Sequence, residues 1–250
     1  MAKFSLLTQN QATFNKKHDT IFSNKICGVS MLLVTARTAT SKLKIRKVMA
    51  RLFQSFIYSI IGEKEHAGYQ HKSGKIFKST AFRICYFNNE FTIEFTALNK
   101  EHEKQLAMAI LRDGLKLGVI HFTDTTVSII NRSTTQSILH VKSYVCAAIK
   151  NQASNKKVYL QPGDEKHNAI ITNHSLQKFE TLFNKPYNKG LSIKVLWQAP
   201  RFKRFFYENG AVDVWLAKYE ISAESEMLNL LLDTGLGAES MKGLGFLDEL

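Results

Sequence analysis

The longest periodic run of apolar residues predicts a helix near the start of the chain. Apolar side chains recur at i, i+3 and i+4 through Ile45, Val48, Met49, Leu52, Phe53, Phe56, Ile57, Ile60 and Ile61. This spacing places them on one face of an α-helix. Thr40 and Ser41 are N-cap candidates before the run, and Gly62 ends it. The preceding residues 29–37 are rich in β-forming side chains and predict a buried first strand.

After this helix the pattern changes to strands and one further helix. Residues 63–74 are polar, with two glycines and two histidines, and predict an exposed loop. Residues 81–87 and 91–97 predict a hairpin joined by Asn88, Asn89 and Glu90. Asn99 is the expected cap of a second helix, whose apolar residues are Leu106, Met108, Ile110, Leu111 and Leu115. With strand candidates at 119–123 and 126–131, the order is β-α-β-β-α-β-β, which is the ferredoxin-like order with an extra hairpin strand.

The second half of the chain predicts a similar mixture of strands and helices. Helices are expected from Gly163 and Asp164 to residue 183 and over residues 224–232. The strand candidates are residues 138–149, 157–161, 191–198, 202–207 and 211–221. We therefore expect an α+β protein with two tandem ferredoxin-like (RRM-like) domains and antiparallel sheets, over residues 29–136 and 137–250. Residues 1–28 are interpreted as an N-terminal extension that forms an added strand or an ordered arm.

Composition agrees with a folded protein in a reducing compartment. Hydrophobic residues make up 44% of the chain, which excludes a disordered basic tail. The chain has three widely spaced cysteines, Cys27, Cys85 and Cys146. This odd number and spacing predict neither a disulfide framework nor a zinc site. The sequence has no apolar run of about 18 residues and no apolar signal core near its start. These observations predict a cytoplasmic protein without a membrane span.

The positive charge is concentrated in one part of the sequence. The formal net charge is +13, but the last 28 residues carry six acids and one base, so the remaining residues carry +18. Residues 37–78 alone contain ten Lys or Arg and two acids. A localised excess of this size attracts and steers a polyanion. A solvated basic surface without a partner is the alternative interpretation.

The C-terminal stretch contains two Gly-x-Gly pairs, formed by Gly235, Gly237, Gly243 and Gly245. A dinucleotide fingerprint would need a third glycine at Ser240, and a Walker loop would need Gly-Lys-Ser/Thr. Neither is present, so the stretch predicts a glycine-rich loop between a helix and a terminal strand. Such a loop permits close approach of a ligand, and its N–H groups can bind phosphate. A plain tight turn is the alternative.

The pattern G-x-G-x5-G-x-G-F, which ends at Phe246, resembles the glycine-rich signature of the repeat-associated (RAMP) proteins. Within that superfamily the chain is most similar to the Cas6 family of CRISPR-associated endoribonucleases, which cut precursor CRISPR RNA within its repeats. The helix end FIYSII at 56–61, the loop YQHKSGKIF at 69–77 and the hairpin that begins RFKRFF at 201–206 also resemble that family. The resemblance covers about residues 29–250. It implies RNA cleavage without a metal ion, giving a 2′,3′-cyclic phosphate.

The candidate catalytic residues are Tyr58, His71 and Lys75, which stand in the register that this resemblance implies. Histidine can act as general acid or base near neutral pH. Lysine supplies positive charge where the phosphorane develops negative charge. Tyrosine can position the 2′-OH, but its pKa near 10 makes it a poor base. Which residue is the acid and which the base stays open, and His71 as an incidental loop histidine is the alternative.

Binding of the RNA is expected from basic residues and from the glycine-rich loop. The candidates are Lys42, Lys44, Arg46, Lys47, Arg51, Lys78, Arg201, Lys203, Arg204, Gly235, Gly237, Gly243 and Gly245. The expected partner is CRISPR repeat RNA in its precursor transcript, with a CRISPR effector complex as a further candidate. We expect no metal, no cofactor and a monomer or homodimer. A non-catalytic RNA-binding RAMP subunit is the main alternative function, and an unrelated basic α+β binding module is the third.

Overall fold

The computed structural model describes residues 29–39, 43–153, 155–208 and 210–250. The N-cap expected at Thr40 and Ser41, the RNA contact expected from Lys42 and the arm expected over residues 1–28 lie outside these ranges.

The first half of the chain forms a four-stranded antiparallel sheet with strand order β4-β5-β1-β8. Its elements are β1 (Ser30–Arg37), a π-helical turn (Ile45–Met49), α1 (Ala50–Ile61), α2 (Glu63–Ala67), β2 (Tyr69–Gln70), β3 (Ile76–Phe77), β4 (Thr80–Phe87), β5 (Glu90–Ala97), α3 (Lys100–Asp113), β6 (Lys116–Leu117), β7 (Ile120–His121) and β8 (Thr123–Asn131). The long strands and the helices α1 and α3 follow the ferredoxin-like order β-α-β-β-α-β.

Local sequence explains these elements. The apolar stripe of α1 buries Phe53 and Ile57 completely against the sheet. The side chain of Asn99 accepts a hydrogen bond from the Glu101 N–H and caps α3. Asn88 and Asn89 both have positive φ, as a two-residue hairpin turn requires, so Glu90 already belongs to the second strand of the hairpin.

The second half repeats the plan, with sheet order β12-β15-β9-β16. Its elements are β9 (Ile138–Tyr144), β10 (Ala148–Lys150), β11 (Lys157–Tyr159), α4 (Glu165–Phe183), β12 (Ser192–Gln198), β13 (Lys203–Tyr207), β14 (Gly210–Val214), β15 (Leu216–Ser222), α5 (Ser225–Thr234), a 3₁₀ turn (Ser240–Lys242) and β16 (Asp248–Glu249). The predicted fold class, an α+β protein of two tandem ferredoxin-like domains with antiparallel sheets, is confirmed.

Two predicted strands divide in the structure because their residues belong to different sheets. In the predicted strand 211–221, β14 pairs with β13, whereas β15 pairs with β9 and β12, and Trp215 lies at the division. The predicted strand 138–149 divides into β9, which joins the four-stranded sheet, and β10, which pairs with β11. The hairpins β10-β11 and β13-β14 are therefore additions to the ferredoxin-like plan.

The prediction of a loop over residues 63–74 is wrong, although most residues of the segment are exposed as predicted. The segment contains the short helix α2 and the strand β2, which pairs with β3. Glu65 and His71, both polar in the sequence, are buried here. They are accommodated because each makes hydrogen bonds to other parts of the chain.

No helix within the described ranges combines the length and the apolar character needed to cross a bilayer.

Candidate functional site

Helix α1 carries a row of polar side chains along one flank, and this row ends at Tyr58. Arg51 is ion-paired with Glu208, which follows β13. One turn further along, the Gln54 Nε2 donates to the Met241 carbonyl at 2.6 Å, in the glycine-rich loop. Tyr58 follows on the next turn, because residues four apart lie on the same side of a helix. At one end this flank of α1 contacts the second half of the protein, and at the other end Tyr58 lies near the start of α2.

Tyr58 lies in a cluster with His66 and Lys78. The ring centroids of Tyr58 and His66 are 4.7 Å apart, and the Lys78 Nζ lies 5.5 Å from the centre of the Tyr58 ring. The Lys78 ammonium also donates to the backbone carbonyl of His66. Gly62 ends α1 with φ +94°, and α2 begins at once, so the turn brings His66 back beside Tyr58. We call these three residues the Tyr-His-Lys cluster.

Glu65 makes buried hydrogen bonds that hold the backbone around the Tyr-His-Lys cluster in place. Its carboxylate accepts a hydrogen bond from the Tyr69 hydroxyl at 2.6 Å and another from Ser79. The Lys78 Nζ reaches the Glu65 backbone carbonyl at 3.5 Å. Burial, and next the hydrogen bond to Glu65, raises the pKa of Tyr69 to about 12. These contacts tie α2, β2 and the start of β4 into one unit, so the side chains of the cluster are positioned by ordered backbone.

The Tyr58 hydroxyl is buried and has no hydrogen-bond partner among the residues that the structure describes. Burial, with a smaller contribution from the charge of Glu65, raises the pKa of Tyr58 above that of free tyrosine. The hydroxyl is therefore protonated at neutral pH and can donate a hydrogen bond. A buried hydroxyl without a partner costs about 1–3 kcal/mol, which an accepting oxygen of a ligand would offset.

His66 and Lys78 supply the remaining chemistry of the cluster. The His66 side chain is 62% exposed, so its ring is accessible to a ligand, and its Nδ1 lies 3.7 Å from Glu63. Burial lowers the pKa of Lys78, while the nearby Glu65 opposes this effect. The arrangement combines a hydroxyl donor, an accessible imidazole and an ammonium group within a few ångströms.

His71 lies in the turn between β2 and β3 and faces helix α4. The Ser73 N–H donates to its Nδ1 at 3.1 Å, so Nε2 carries the proton and donates to Glu180 at 3.2 Å. Only 5% of its side chain is exposed. Lys75 donates to Gln177 at 2.9 Å, also on α4. Contacts to α4 thus engage both residues, whereas Tyr58 contacts His66 and Lys78.

The glycine-rich loop connects the two halves of the molecule. Ser240 Oγ donates to the Thr80 carbonyl at 3.2 Å, and the Met241 carbonyl accepts from Gln54, both in the first half. Within the second half, the Tyr207 hydroxyl donates to the Lys242 carbonyl at 3.0 Å. The N–H groups of Gly235, Gly243 and Gly245 donate to Leu231, Ser240 and Tyr144. Because these three N–H groups already donate within the chain, they are not available to bind phosphate. The loop is held in place by backbone hydrogen bonds and links the two halves of the protein.

A large cleft between the two halves gathers many of the predicted RNA-binding residues. Its volume is about 1230 Å³. Six of the predicted residues line it, namely Lys44, Lys47, Lys203, Arg204, Gly243 and Gly245. Phe206, which belongs to the predicted basic and aromatic hairpin, also lines it, as do Arg83, Lys142, Tyr86 and Tyr207, which the sequence does not indicate. The lining is therefore both basic and aromatic, a combination that suits a nucleic-acid strand.

The cations of this cleft differ in how far they are neutralised. Arg204 makes two hydrogen bonds to Asp213, each at 2.7 Å, and Arg83 is paired with Glu94 and Asp248. Within the described ranges, Lys44, Lys47 and Lys142 have no ion-pair partner. The Lys203 Nζ lies 5.2 Å from the centre of the Phe205 ring. Positive charge on lysines is thus available along the cleft wall.

Arg201, another predicted RNA-binding residue, is exposed at the turn before β13 and is not among the described residues that line this cleft. Arg46 belongs to the π-helical turn beside Lys47. Lys78 and Gly237 line a second, smaller cavity. The Phe202 ring is 47% exposed and lies 5.4 Å from the Arg204 guanidinium, whereas Phe205 is buried. Within the described residues, no three His, Cys, Asp or Glu side chains are grouped as metal ligands.

Comparison with known proteins defines the class of this chain. The family model for the C-terminal part of CRISPR-associated protein Cas6 matches residues 124–249, which is half of the chain. The chain therefore belongs to the Cas6 family, as its glycine-rich loop predicted. No curated protein matches the sequence.

Solved structures share the fold at low sequence identity. A Cas6-related protein from Pyrococcus furiosus superposes with a TM-score of 0.71 at 12% identity, covering 89% of this chain and 99% of that one. A CRISPR-associated protein Cas6 superposes with a TM-score of 0.67 at 16% identity, covering 89% of this chain and 99% of that one. A RAMP protein that binds different RNA substrates gives 0.68 at 10% identity, covering 88% and 99%. These similarities establish the shared architecture.

The sequence reasoning missed His66 as a candidate for the site. His66 lies in the polar stretch for which the sequence predicts a loop, and within that stretch the resemblance favours His71, which Lys75 and Phe77 follow. The signal that identifies His66 is the segment EKEHA directly after Gly62, which begins a helix with its acidic residues in the first turn. A helix starting at that point turns His66 towards the end of α1.

Proposed function

We propose that the protein is a metal-independent endoribonuclease that cuts CRISPR repeat RNA within precursor transcripts. The 2′-OH attacks the adjacent phosphate, and the products carry 2′,3′-cyclic phosphate and 5′-OH ends. The observation that carries this proposal is the Tyr-His-Lys cluster, in which Tyr58, His66 and Lys78 lie together. Membership of the Cas6 family and the basic cleft support it.

In this proposal each side chain of the cluster has a separate role. His66 transfers the proton, as base for the 2′-OH or as acid for the 5′-oxygen. Tyr58, whose raised pKa keeps it protonated, donates a hydrogen bond to an oxygen of the reacting nucleotide when ligand binding uncovers its buried hydroxyl. Lys78 stabilises negative charge on the phosphorane. Catalysis by His71 and Lys75 remains a competing prediction, because contacts to α4 do not decide whether a side chain takes part in catalysis.

The RNA strand reaches the cluster from the interdomain cleft along α1 in this proposal. Lys47 lines the cleft at one end of the helical segment, and Tyr58 lies at the other. Eleven residues of helix separate them by about 16 Å. The partner is the repeat RNA, and the expected location is the cytoplasm.

The test of the proposed function is incubation of the purified protein with the repeat RNA of its own genome in excess EDTA. We expect cleavage at one position, with a 2′,3′-cyclic phosphate on the upstream product. A substrate with 2′-deoxyribose at the nucleotide before the cut should bind and stay intact. Binding without cleavage would favour the non-catalytic RAMP subunit, and cleavage that requires a divalent metal would contradict the mechanism.

We further predict that the cleft lysines set the affinity for RNA and its dependence on salt. Replacing Lys44, Lys47 and Lys203 together by glutamine should weaken binding and lower the slope of log K against log salt by about 2, since each contact to a single strand contributes about 0.7. Fluorescence anisotropy over a series of salt concentrations measures both quantities. The matched control replaces three exposed lysines outside the cleft, Lys104, Lys166 and Lys189. Equal slopes for the two variants would contradict the placement of the strand.

A further inference from the structure

A second cavity lies under the glycine-rich loop, beside the Tyr-His-Lys cluster. Its volume is about 380 Å³, within the range of pockets that hold small ligands. Helix α4 contributes His174 and Lys178, and the loop contributes Lys242. Lys78 belongs both to this cavity and to the cluster. The cavity therefore opens next to the groups proposed to cut the RNA.

Lys178 is a lysine in an unusual, buried position. It is only 2% exposed, and its Nζ donates to the carbonyls of Thr234 at 3.1 Å and Gly235 at 2.6 Å. Thr234 is the last residue of helix α5 and Gly235 is its C-cap. The helix dipole favours a cation at this C-terminal end. Burial lowers the pKa of Lys178 to about 7. In the protonated form one N–H donor remains beyond these two bonds and has no acceptor among the described residues, and an anion in the cavity would favour that form.

His174 adds a second polar group without a partner. Its Nδ1 is buried and makes no hydrogen bond to any part of the chain that the structure describes. Burial, and next the charge of Lys178, lowers the pKa of His174 to about 3, so its ring is neutral. A neutral imidazole offers one donor and one acceptor. Capping of α5 by Lys178 does not explain this second unpartnered group.

The charges and apolar groups of the cavity indicate the class of ligand. Glu239 is the carboxylate that lines it within the described residues, and it is paired with Lys157 at 3.3 Å and Lys242 at 3.0 Å. The lysines of the lining outnumber this carboxylate, so the cavity favours an anion. Ile76, Phe77 and Met241 add apolar surface that a phosphate alone would leave uncovered.

We propose that this cavity binds one nucleotide of the substrate RNA next to the scissile phosphate. Its phosphate contacts Lys178 and Lys242, and its base packs on the apolar side chains. The inference rests on the proposed function, because the nucleotide belongs to the strand that is cut. It adds that Lys178, far from α1 in the sequence, is a substrate-binding residue.

Isothermal titration of the full-length protein with the four ribonucleoside 3′-monophosphates, and separately with inorganic phosphate, tests the proposal. We expect at least one nucleotide to bind with a millimolar or tighter Kd and more tightly than phosphate. Saturating repeat RNA should abolish that binding. Lys178→Met and Lys242→Gln should each weaken it about tenfold, and the exposed Lys166→Gln on the same helix should not.

Lys242→Gln keeps the test decisive if Lys178→Met fails to fold, because Lys242 is only partly buried. The proposal is overturned if no nucleotide binds, if phosphate binds as tightly as every nucleotide, or if Lys242→Gln binds the nucleotide as the unmodified protein does. Titration does not depend on cleavage. Nucleotide binding without RNA cleavage would overturn the proposed enzyme and support the cavity, whereas cleavage without nucleotide binding would overturn the cavity alone.

Discussion

Replacing His66 by alanine is expected to slow cleavage of repeat RNA by about 10²–10⁴-fold, the usual contribution of a general acid or base. The side chain is largely exposed, and its ring packs on one face of Tyr58. Its loss should therefore leave folding and RNA affinity nearly unchanged. Single-turnover rates with the enzyme in excess measure the chemical step without product release.

The control for this prediction is another exposed histidine outside the cluster. His121 lies on β7 and has no role in the proposed reaction, so His121→Ala should cleave at the rate of the unmodified protein. If His66→Ala also cleaves at that rate while binding RNA normally, His66 does not transfer the proton.

Replacing Gly245 by alanine is expected to destabilise the protein by about 3–5 kcal/mol, the upper part of the range for single substitutions. Gly245 has φ +72°, and an added Cβ would overlap the carbonyl oxygen of Leu236. The Leu236 N–H donates to the Gly245 carbonyl at 2.8 Å, so the two backbone segments cannot separate without losing that bond. Denaturant unfolding followed by circular dichroism measures the change.

Gly114 provides a matched control for this substitution. Its φ of +75° is nearly the same, but an added Cβ meets nothing within 4 Å. At Gly114 this φ is combined with a ψ of 164°, a backbone region that is essentially restricted to glycine, so Gly114→Ala should cost only that backbone strain, about 1–3 kcal/mol. Equal losses at the two positions would show that backbone conformation alone, without close packing of the loop, explains the glycine at 245.

The fold was largely predictable from sequence because local patterns specify it. The stripe of α1, the Asn99 cap and the Asn88-Asn89 turn each determine structure within a few residues. Predictions failed where pairing over long distances decides the outcome. The run 211–221 is continuous in β-propensity, and its division near Trp215 depends on two different partner strands.

The site was less predictable, because tertiary contacts decide which polar side chains are accessible. His66 and His71 lie five residues apart in one polar stretch, yet one is exposed beside Tyr58 and the other is buried against Glu180. The segment EKEHA after Gly62 predicts the short helix that carries His66, but no local pattern shows that His71 is buried, since its burial comes from where α4 packs. In the sequence nothing distinguishes Lys178 from the other lysines of a predicted helix. It is buried because its side chain donates to the carbonyls at the C-terminal end of α5.

The most direct test of the account compares His66→Ala with His71→Ala on the same repeat RNA in EDTA. Single-turnover cleavage, RNA affinity and the free energy of unfolding are measured for both variants. The account predicts that His66→Ala cleaves about 10²–10⁴-fold more slowly at unchanged stability. His71→Ala should cleave within about tenfold of the unmodified protein but lose about 1–3 kcal/mol of stability, because its buried hydrogen bonds to α4 and Ser73 are removed. The reverse order of cleavage rates, with both variants folded, would contradict the account and support His71 as the catalytic histidine.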